Sequence, residues 1–459
     1  MDAGTLQSIL FAQLHTGAAS VRHDPTQSVP LPQNREPSPV TNVAQHPDVA
    51  TRNANVTLML LVAAGIVGLY SMTTHPVPFG KGFEMVKLAE NLARYGSYAN
   101  PFDVLDTGPT AANPPLYAFL LALVIKAVRI PDLVLFVVTL GNIFANAFAA
   151  MLLPRISEMF YRDTRPGLVA AILWILSSQL MPSWDVGFTV PTLFMFCLVT
   201  AATIGKPGFA MKGLFAGLLA AALFLFNPST ILIFFPWMGW LAVKHRKSGT
   251  QTVAYCCLVF GVVLVFGAAW GLRNQRELGK FVIRTNLGMT LYASDNACAS
   301  SSMVASEANN CYQEHHPNTS FQEAQLLHTL GEVKYDQVRV TDAKQWIRSH
   351  PSQFLRLTLA RVRDFWFPIP NQHPFKSGVI WAATLLSIPG LILMIRRRIE
   401  ITPFVLSVLL IYPLMYYIVV SDVRYRLPVL WLSLLPAGVF VVQLWDIASK
   451  SNRSLVDPI

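Results

Sequence analysis

Long apolar runs alternate with short polar breaks over most of the chain. They cover residues 56–73, 131–152, 167–182, 189–205, 211–226, 228–243, 252–271, 377–395, 402–420 and 427–446. Each of these ten runs is 16–22 residues long, near the roughly 20 residues a helix needs to cross the hydrocarbon of a bilayer. The pattern predicts an all-α polytopic membrane protein with about ten transmembrane helices. One further apolar piece, 114–130, breaks the series because Lys126 falls inside it. Apolar runs of about 10–14 residues belong more often to interfacial or re-entrant helices, so this piece is predicted to lie at the membrane surface.

The polar stretches complete the layout. Residues 1–54 are rich in Gln, Pro, Ser, His and Thr without a sustained apolar run, which predicts a disordered cytoplasmic tail. They show no cleavable signal-peptide pattern. Residues 55–271 then form an N-terminal transmembrane module with a long first loop, 74–130. A second long segment, 272–376, reads as mixed and mainly helical, with a break at His350-Pro351. In its last part Leu355, Leu357, Leu359, Val362 and Phe365 oppose Arg356, Arg361 and Arg363, a basic amphipathic pattern suited to a membrane surface. Residues 377–446 supply the last transmembrane helices, and 447–459 a second cytoplasmic tail.

Composition agrees. The chain is 53% hydrophobic and 13% charged, against about 25% charged in soluble domains. The net charge of +10 does not point to nucleic acid, because most of the excess sits in short clusters between apolar runs. With 114–130 at the surface, loops on the side of the N-terminus carry Arg155, Arg162, Arg165, Lys206, Lys212, Lys244, Arg246, Lys247, Arg396, Arg397 and Arg398. Short loops on the other side carry Arg424 and Arg426. Eleven against two places both termini in the cytoplasm by the positive-inside rule. The loops 74–130 and 272–376 then face outward from the cytoplasmic membrane. Cys298 and Cys311 share the second of them, so an oxidising compartment predicts a disulfide between them. Cys197, Cys256 and Cys257 fall inside apolar runs and read as small buried side chains.

Ionisable groups gather on the outward side. The first loop contains "GFEMVKLAENLARYGSYANPF", with Glu84, Lys87 and Glu90, followed by Asp103 and Asp106. "MPSWDVGF" brings Asp185, "WGLRNQRELGKFVIRTNLG" brings Arg273, Asn274, Arg276, Lys280 and Arg284, and "SDVRYRLP" brings Asp422, Arg424, Tyr425 and Arg426. Ionisable groups at a membrane are costly unless paired or functional.

These stretches resemble the type C glycosyltransferase fold, especially family 39-like bacterial enzymes: relatives of protein O-mannosyltransferases, 4-amino-arabinose lipid A transferases and Rhizobium lipopolysaccharide sugar transferases. The resemblance rests on the first-loop acid and its helix, on "TGPTAANPPLYAFLLAL", on "WGLRN" and on "RYRLP", and covers about residues 56–446. It implies transfer of a hexosyl or pentosyl group from a polyprenyl-phosphate- or polyprenyl-diphosphate-linked donor to an envelope glycan, lipid, lipopolysaccharide or protein acceptor outside the cytoplasmic membrane. By position it makes Glu84 the candidate base, and it makes Arg424, Arg426 and Arg273 candidate ligands of the donor phosphate. Asp185, Tyr425 and Asn274 become substrate-binding candidates. Many relatives carry Asp, often as Asp-Glu, where this chain has Phe83-Glu84, so whether Glu84 is the base or its neighbour stays open.

Each candidate also has a plainer reading. Glu84 can be a solvated loop acid, Asp185 a cap for the fourth span, and Arg424 and Arg426 interfacial anchors. Lys280 and Arg284 read as surface charges, and His75, His315 and His316 as solvated loop histidines. Metal-using relatives carry more acids near the turn where Asp185 stands alone, so no metal or other cofactor is expected. Two other functions fit a polytopic chain: a transporter or flippase of lipid-linked saccharides, and a scaffold for cell-wall partners. The first calls for ionisable groups within spans and an internal repeat, and neither stands out here.

Overall fold

The computed structural model describes residues 47–74, 83–177, 180–370 and 374–456. Residues 1–46 of the polar N-terminal segment, His75 and residues 457–459 lie outside that description. Among the described residues the secondary structure is helical, with β pairing limited to two isolated bridges, Ala99 with Pro109 and Ser302 with Ser421.

Residues 52–459 form one compact unit. The first half comprises α1 (Pro47–Thr74), α2 (Glu84–Tyr95), α3 (Pro115–Val128), α4 (Pro131–Tyr161), α5 (Arg165–Ser177), α6 (Val186–Thr203), α7 (Phe209–Phe226), α8 (Ile231–Lys244) and α9 (Gly249–Leu278). Six shorter or amphipathic helices follow: α10 (Leu287–Ser294), α11 (Met303–Ala308), α12 (Cys311–His315), α13 (Phe321–Leu330), α14 (Glu332–Ser349) and α15 (Pro351–Trp366). The chain returns to apolar helices in α16 (Pro374–Arg396), α17 (Thr402–Ile411), α18 (Leu414–Tyr417) and α19 (Leu427–Val456).

Seven stretches among the described residues are long and apolar enough to cross a bilayer: Asn55–Thr74, Pro131–Tyr161, Val186–Thr203, Phe209–Phe226, Arg246–Leu278, Pro374–Arg396 and Leu427–Ser449. This is an all-α polytopic membrane fold. The other three predicted spans form shorter helices. α5 has 13 residues, α8 has 14 and α17 has 10, or about 15–21 Å at 1.5 Å per residue. Proline explains two of these. Pro228 opens a 3₁₀ turn before α8, and Pro413, which lacks an N–H, separates α17 from α18. α3, predicted to lie at the surface, has 14 residues and reaches about 21 Å.

Three helices clearly outrun their expected ends, α4 by continuing to Tyr161. α9 continues through Arg273 and Asn274 to Leu278, where Gly279 (φ 74°) turns the chain and donates its N–H to the Gln275 carbonyl. α19 continues to Val456. The long helices pack closely where side chains are small. α19 lies between α16 and α5. A Cβ on Gly390 would come 1.9 Å from the Pro436 carbonyl oxygen, and one on Gly438 would come 2.2 Å from that of Pro166. Small residues let membrane helices approach this far. Trp237, Phe194, Phe404 and Trp431 fill the core.

The helix ends sort into two sets. At one, Arg165 pairs with Asp446 (2.7 Å) and Lys244 with Glu400 (2.7 Å). These contacts gather the α4–α5, α8–α9 and α16–α17 turns with the later part of α19, and with them most of the basic loop residues. At the other end the α10–α15 segment is tied to the bundle. Ser421 donates its N–H to Ser301 O (2.8 Å) and accepts from Met303 N–H (2.9 Å). Arg361 on α15, fully buried, donates to Asp295 Oδ1 (2.9 Å) and to the Ser294 carbonyl. Burial pushes the Asp295 carboxyl up to about 6 against the pull of Arg361.

A buried pair of this kind is weak evidence for net stability, but removing one partner strands the other charge. Arg361→Met is expected to lower stability by about 3–5 kcal/mol, with part recovered when Asp295→Asn is added. Chemical unfolding of the purified protein in detergent checks both; equal stability of Arg361→Met and the parent would contradict the brace.

Candidate active site

The first loop is rigid for a definable reason. α2 begins at Glu84, after Phe83 in extended conformation (φ −116°, ψ 107°), and ends at Gly96 (φ 68°), whose N–H caps Leu92 O. Its Met85, Val86, Leu88 and Ala89 are buried against α3. The chain from 97 to 114 then crosses the open end of the bundle without regular structure. Its carbonyls are claimed instead by side chains from elsewhere. Arg273 on α9 donates to Thr110 O and Tyr98 O, both at 2.7 Å, with its guanidinium 5.4 Å from the Tyr98 ring and 5.2 Å from Trp270. Arg284 Nε donates to Ala112 O (2.8 Å). Glu332 on α14 accepts from Ala111 N–H (2.7 Å) and from the Thr285 hydroxyl.

Above this loop lies a cavity of about 270 Å³. α7 and α18 end at it, α6 begins at it, and the α10–α12 region closes it from outside. Glu84, Asp185, Arg284, Tyr312, His316, Arg424 and Tyr425 form its polar side. Leu287, Met415, Ile418 and Val419 contribute apolar lining, and the first three of these keep more than a third of their surface exposed. A second cavity of about 180 Å³ adjoins Phe83, Ser183 and Asp422 and shares Trp184 and Arg424 with the first.

Charge in the first cavity is balanced but poorly solvated. Glu84 is buried, and burial raises its pKa; Arg424, then its own backbone N–H, then Arg284 pull the other way. Its carboxylate also stands at a helix N-terminus, where the dipole favours the anion. Asp185 is raised by burial too, opposed by a hydrogen bond from the Thr189 hydroxyl (3.1 Å). It makes no capping bond to the α6 backbone. Burial works against the charge on Arg424, but Tyr425, Asp422 and Glu84 together hold its pKa above the usual guanidinium range. Arg424 stacks on Trp184 at 4.0 Å and has long contacts to Asp422 Oδ2 (3.5 Å) and the Tyr425 hydroxyl (3.4 Å). Its Nε has no hydrogen-bond partner among the described residues. Arg284 lies deep among protein atoms yet keeps exposed surface, because it faces open cavity space.

His316 Nε2 lies 3.6 Å from Glu84 Oε1. The proximity suggests an ion pair, but burial, and then the Arg424 charge, lower the histidine to about 3. It is therefore neutral at physiological pH, and the contact is a dipole facing a carboxyl group.

The structure thus brings four sequence candidates together: Glu84, Asp185, Arg424 and Tyr425. It places three elsewhere. Arg426 is buried and donates to the Trp366 carbonyl and to the Thr384 hydroxyl (2.6 Å), joining α15, α16 and α19. Arg273 clamps the first loop, and Asn274 donates to Val282 O (2.8 Å). None of the three lines the cavity. Arg284, His316 and Tyr312 do line it, although the first two read in sequence as surface groups. The available signal was position alone: all three lie in the long segment on the same side as Glu84. Cys298 and Cys311 are joined by a disulfide. His315 lies within 4.8 Å of both sulfurs, but sulfurs bonded to each other are not thiolate ligands.

No family model matches the chain, and no curated protein matches it. Among solved structures, it is similar to the archaeal oligosaccharyltransferase AglB from Archaeoglobus fulgidus in complex with an inhibitory peptide and a dolichol-phosphate, at 12% identity and a TM-score of 0.48 over 88% of this chain and 52% of that one. It is also similar to the apo form of the Archaeoglobus fulgidus oligosaccharyltransferase, at 15% identity and a TM-score of 0.48, over 87% and 52%. The chain spans about half the length of those proteins, and a likeness at this score says nothing of its chemistry.

The clamp on the first loop is directly measurable. Arg273→Gln removes the forked contact to Tyr98 and Thr110, so amide exchange across 97–113 is expected to speed by about tenfold or more, matching the loss of hydrogen bonds worth about 1.5–3 kcal/mol. Hydrogen–deuterium exchange read by mass spectrometry checks this, with exchange in α7 as the unchanged control.

Proposed function

We propose that the chain is an integral-membrane glycosyltransferase of type C. It moves a sugar from a polyprenyl-phosphate-linked donor to an envelope acceptor on the outer face of the cytoplasmic membrane. The observation that carries this reading is one cavity lined by a buried carboxylate, two arginines and partly exposed apolar side chains. Those are the parts such a transfer needs. A lipid tail needs apolar surface, a phosphate leaving group needs cations, and an acceptor hydroxyl or amine needs a base.

In this reading the acceptor heteroatom attacks the anomeric carbon and forms the new glycosidic bond. The bond from that carbon to the phosphate oxygen breaks, and the phosphate leaves with the electron pair. The proton lost by the acceptor passes to Glu84. Arg424 and Arg284 hold the departing phosphate, because both line the cavity and a guanidinium offers a fork of donors to phosphate oxygens. Arg284 thereby replaces Arg273 and Arg426 as the second phosphate ligand. Tyr425 and Asp185 line the space available to the sugar, and the adjoining cavity past Trp184 offers room for the acceptor. The outward orientation of this end rests on the basic residues gathered at the other.

Raised pKa values suit a base that must work near neutrality. Glu84 has to be ionised to accept a proton, so activity is expected to fall as pH drops through a value above the ordinary glutamate pKa of 4.5. The test uses purified protein in liposomes with a polyprenyl-phosphate-linked radiolabelled sugar and membrane glycolipid as acceptor. Glu84→Gln should reduce kcat by about 10²–10⁴-fold with unchanged folding by size exclusion. Arg424→Gln should raise the KM for the donor, and Arg424→Lys should restore part of it, since lysine keeps the charge without the fork. Lipid movement between leaflets without sugar transfer would replace this reading with a flippase.

A further inference from the structure

We propose that His316 is a positioning residue for Glu84, aiming its Nε2–H at the carboxylate and holding it in the orientation that accepts a proton. The proposal rests on reading Glu84 as the base. Three observations fix the ring. Its Nδ1 accepts the backbone N–H of Asn318 at 3.2 Å, which in a neutral imidazole leaves the proton on Nε2. Its face stacks on Tyr312 at 4.6 Å and its edge meets Phe102 at 5.9 Å. The short helix α12 that delivers it begins at Cys311, which is bonded to Cys298. Nε2 of this constrained ring lies 3.6 Å from Glu84 Oε1. That is long for a hydrogen bond, and such contacts commonly tighten when substrate fills the site.

A positively charged histidine would be a different device, and the surroundings argue against one. Burial and the facing Arg424 keep His316 neutral down to about pH 3. The other charged or titratable groups acting on Glu84 are Arg284 and Asp103, with Tyr312 from α12. Asp185 lines the same cavity. A neutral N–H facing a carboxylate stabilises its ionised form. Loss of that N–H should leave Glu84 holding its proton to higher pH.

The experiment uses the full-length protein in nanodiscs. His316→Phe keeps the ring between Tyr312 and Phe102 but removes the N–H, whereas His316→Gln retains an amide N–H within reach. Carbodiimide labels protonated carboxyls, so the pH midpoint of Glu84 labelling, read by mass spectrometry, reports its titration without any assay of activity. The midpoint is expected to rise by about one pH unit in His316→Phe and to return toward the parent value in His316→Gln. Transfer kinetics should show kcat reduced by about 10–100-fold in the phenylalanine variant with KM for the donor unchanged. The ascending limb of its pH profile should move the same way as the labelling. If the phenylalanine variant does not fold, His316→Asn, too short to reach Glu84, takes its place. An unshifted midpoint, or equal shifts in the phenylalanine and glutamine variants, would overturn the proposal. A shift in labelling with no sugar transfer by the parent protein would leave the contact standing and remove the glycosyltransferase reading.

Discussion

Burial of the Glu84 carboxylate opposite Arg424 is the constraint on which the rest of the molecule depends. A lone ionised carboxylate in a low-dielectric interior is unstable by many kcal/mol and would simply take up a proton. Three things oppose that here: the N-terminus of α2, the guanidinium of Arg424 and, more weakly, Arg284. Two of these come from distant parts of the chain, one ahead of α10 and one between α18 and α19. The first outer loop, the outer segment and the last helices must therefore be assembled correctly before Glu84 has a stable charge state.

That requirement explains why the outer segment is braced so heavily. The Ser302–Ser421 bridge, the Arg361–Asp295 pair, the Glu332 bonds to Ala111 and Thr285 and the Cys298–Cys311 disulfide all act across element boundaries. Each ties a segment that neighbours cavity-lining residues to another element. Ser301–Met303 sets the approach to Arg424. Glu332 and Thr285 hold Arg284 near Ala112. The disulfide anchors the helix bearing Tyr312 and leading to His316. The apolar helices are held mainly by close approach at Gly390 and Gly438 and a filled core, with Arg426 and the Arg165–Asp446 and Lys244–Glu400 pairs adding polar ties.

Much of this was legible in the chain. Apolar run length gave the helices, and charge asymmetry grouped the loops that the structure collects at one end of the bundle. Glu84, Asp185, Arg424 and Tyr425 stood out because a polar group beside a membrane helix needs a reason to be there. What could not be read was which arginine does what. Arg273 and Arg426 carry the same charge as Arg424, and their roles are set by carbonyl oxygens of Tyr98, Thr110 and Trp366, groups that every residue has and that no composition reveals. His316 was misread for a related reason. In a polar stretch the side chain's surroundings come from long-range folding, so a buried cavity residue and a solvated one look alike. The helix ends were also hidden, since the turn that stops α9 waits for Gly279 beyond the apolar run.

The arginines also show how structural and receptive cations differ. Among the described residues, Arg361, Arg424 and Arg426 each leave Nε without a hydrogen-bond partner. In all three that atom is buried; Arg361 and Arg426 are themselves 0% and 2% exposed, and their terminal nitrogens are held by fixed oxygens. No anion can reach them without unpacking α15. Arg424 is held by an aromatic face and by long, weak contacts, and it borders two cavities. A cation whose strong valences are met by the protein cements a fold. One whose charge is sustained while its polar contacts stay long, at the border of two cavities, is arranged for an anion that arrives from outside, and in this molecule that cation lies in the same chamber as the buried carboxylate.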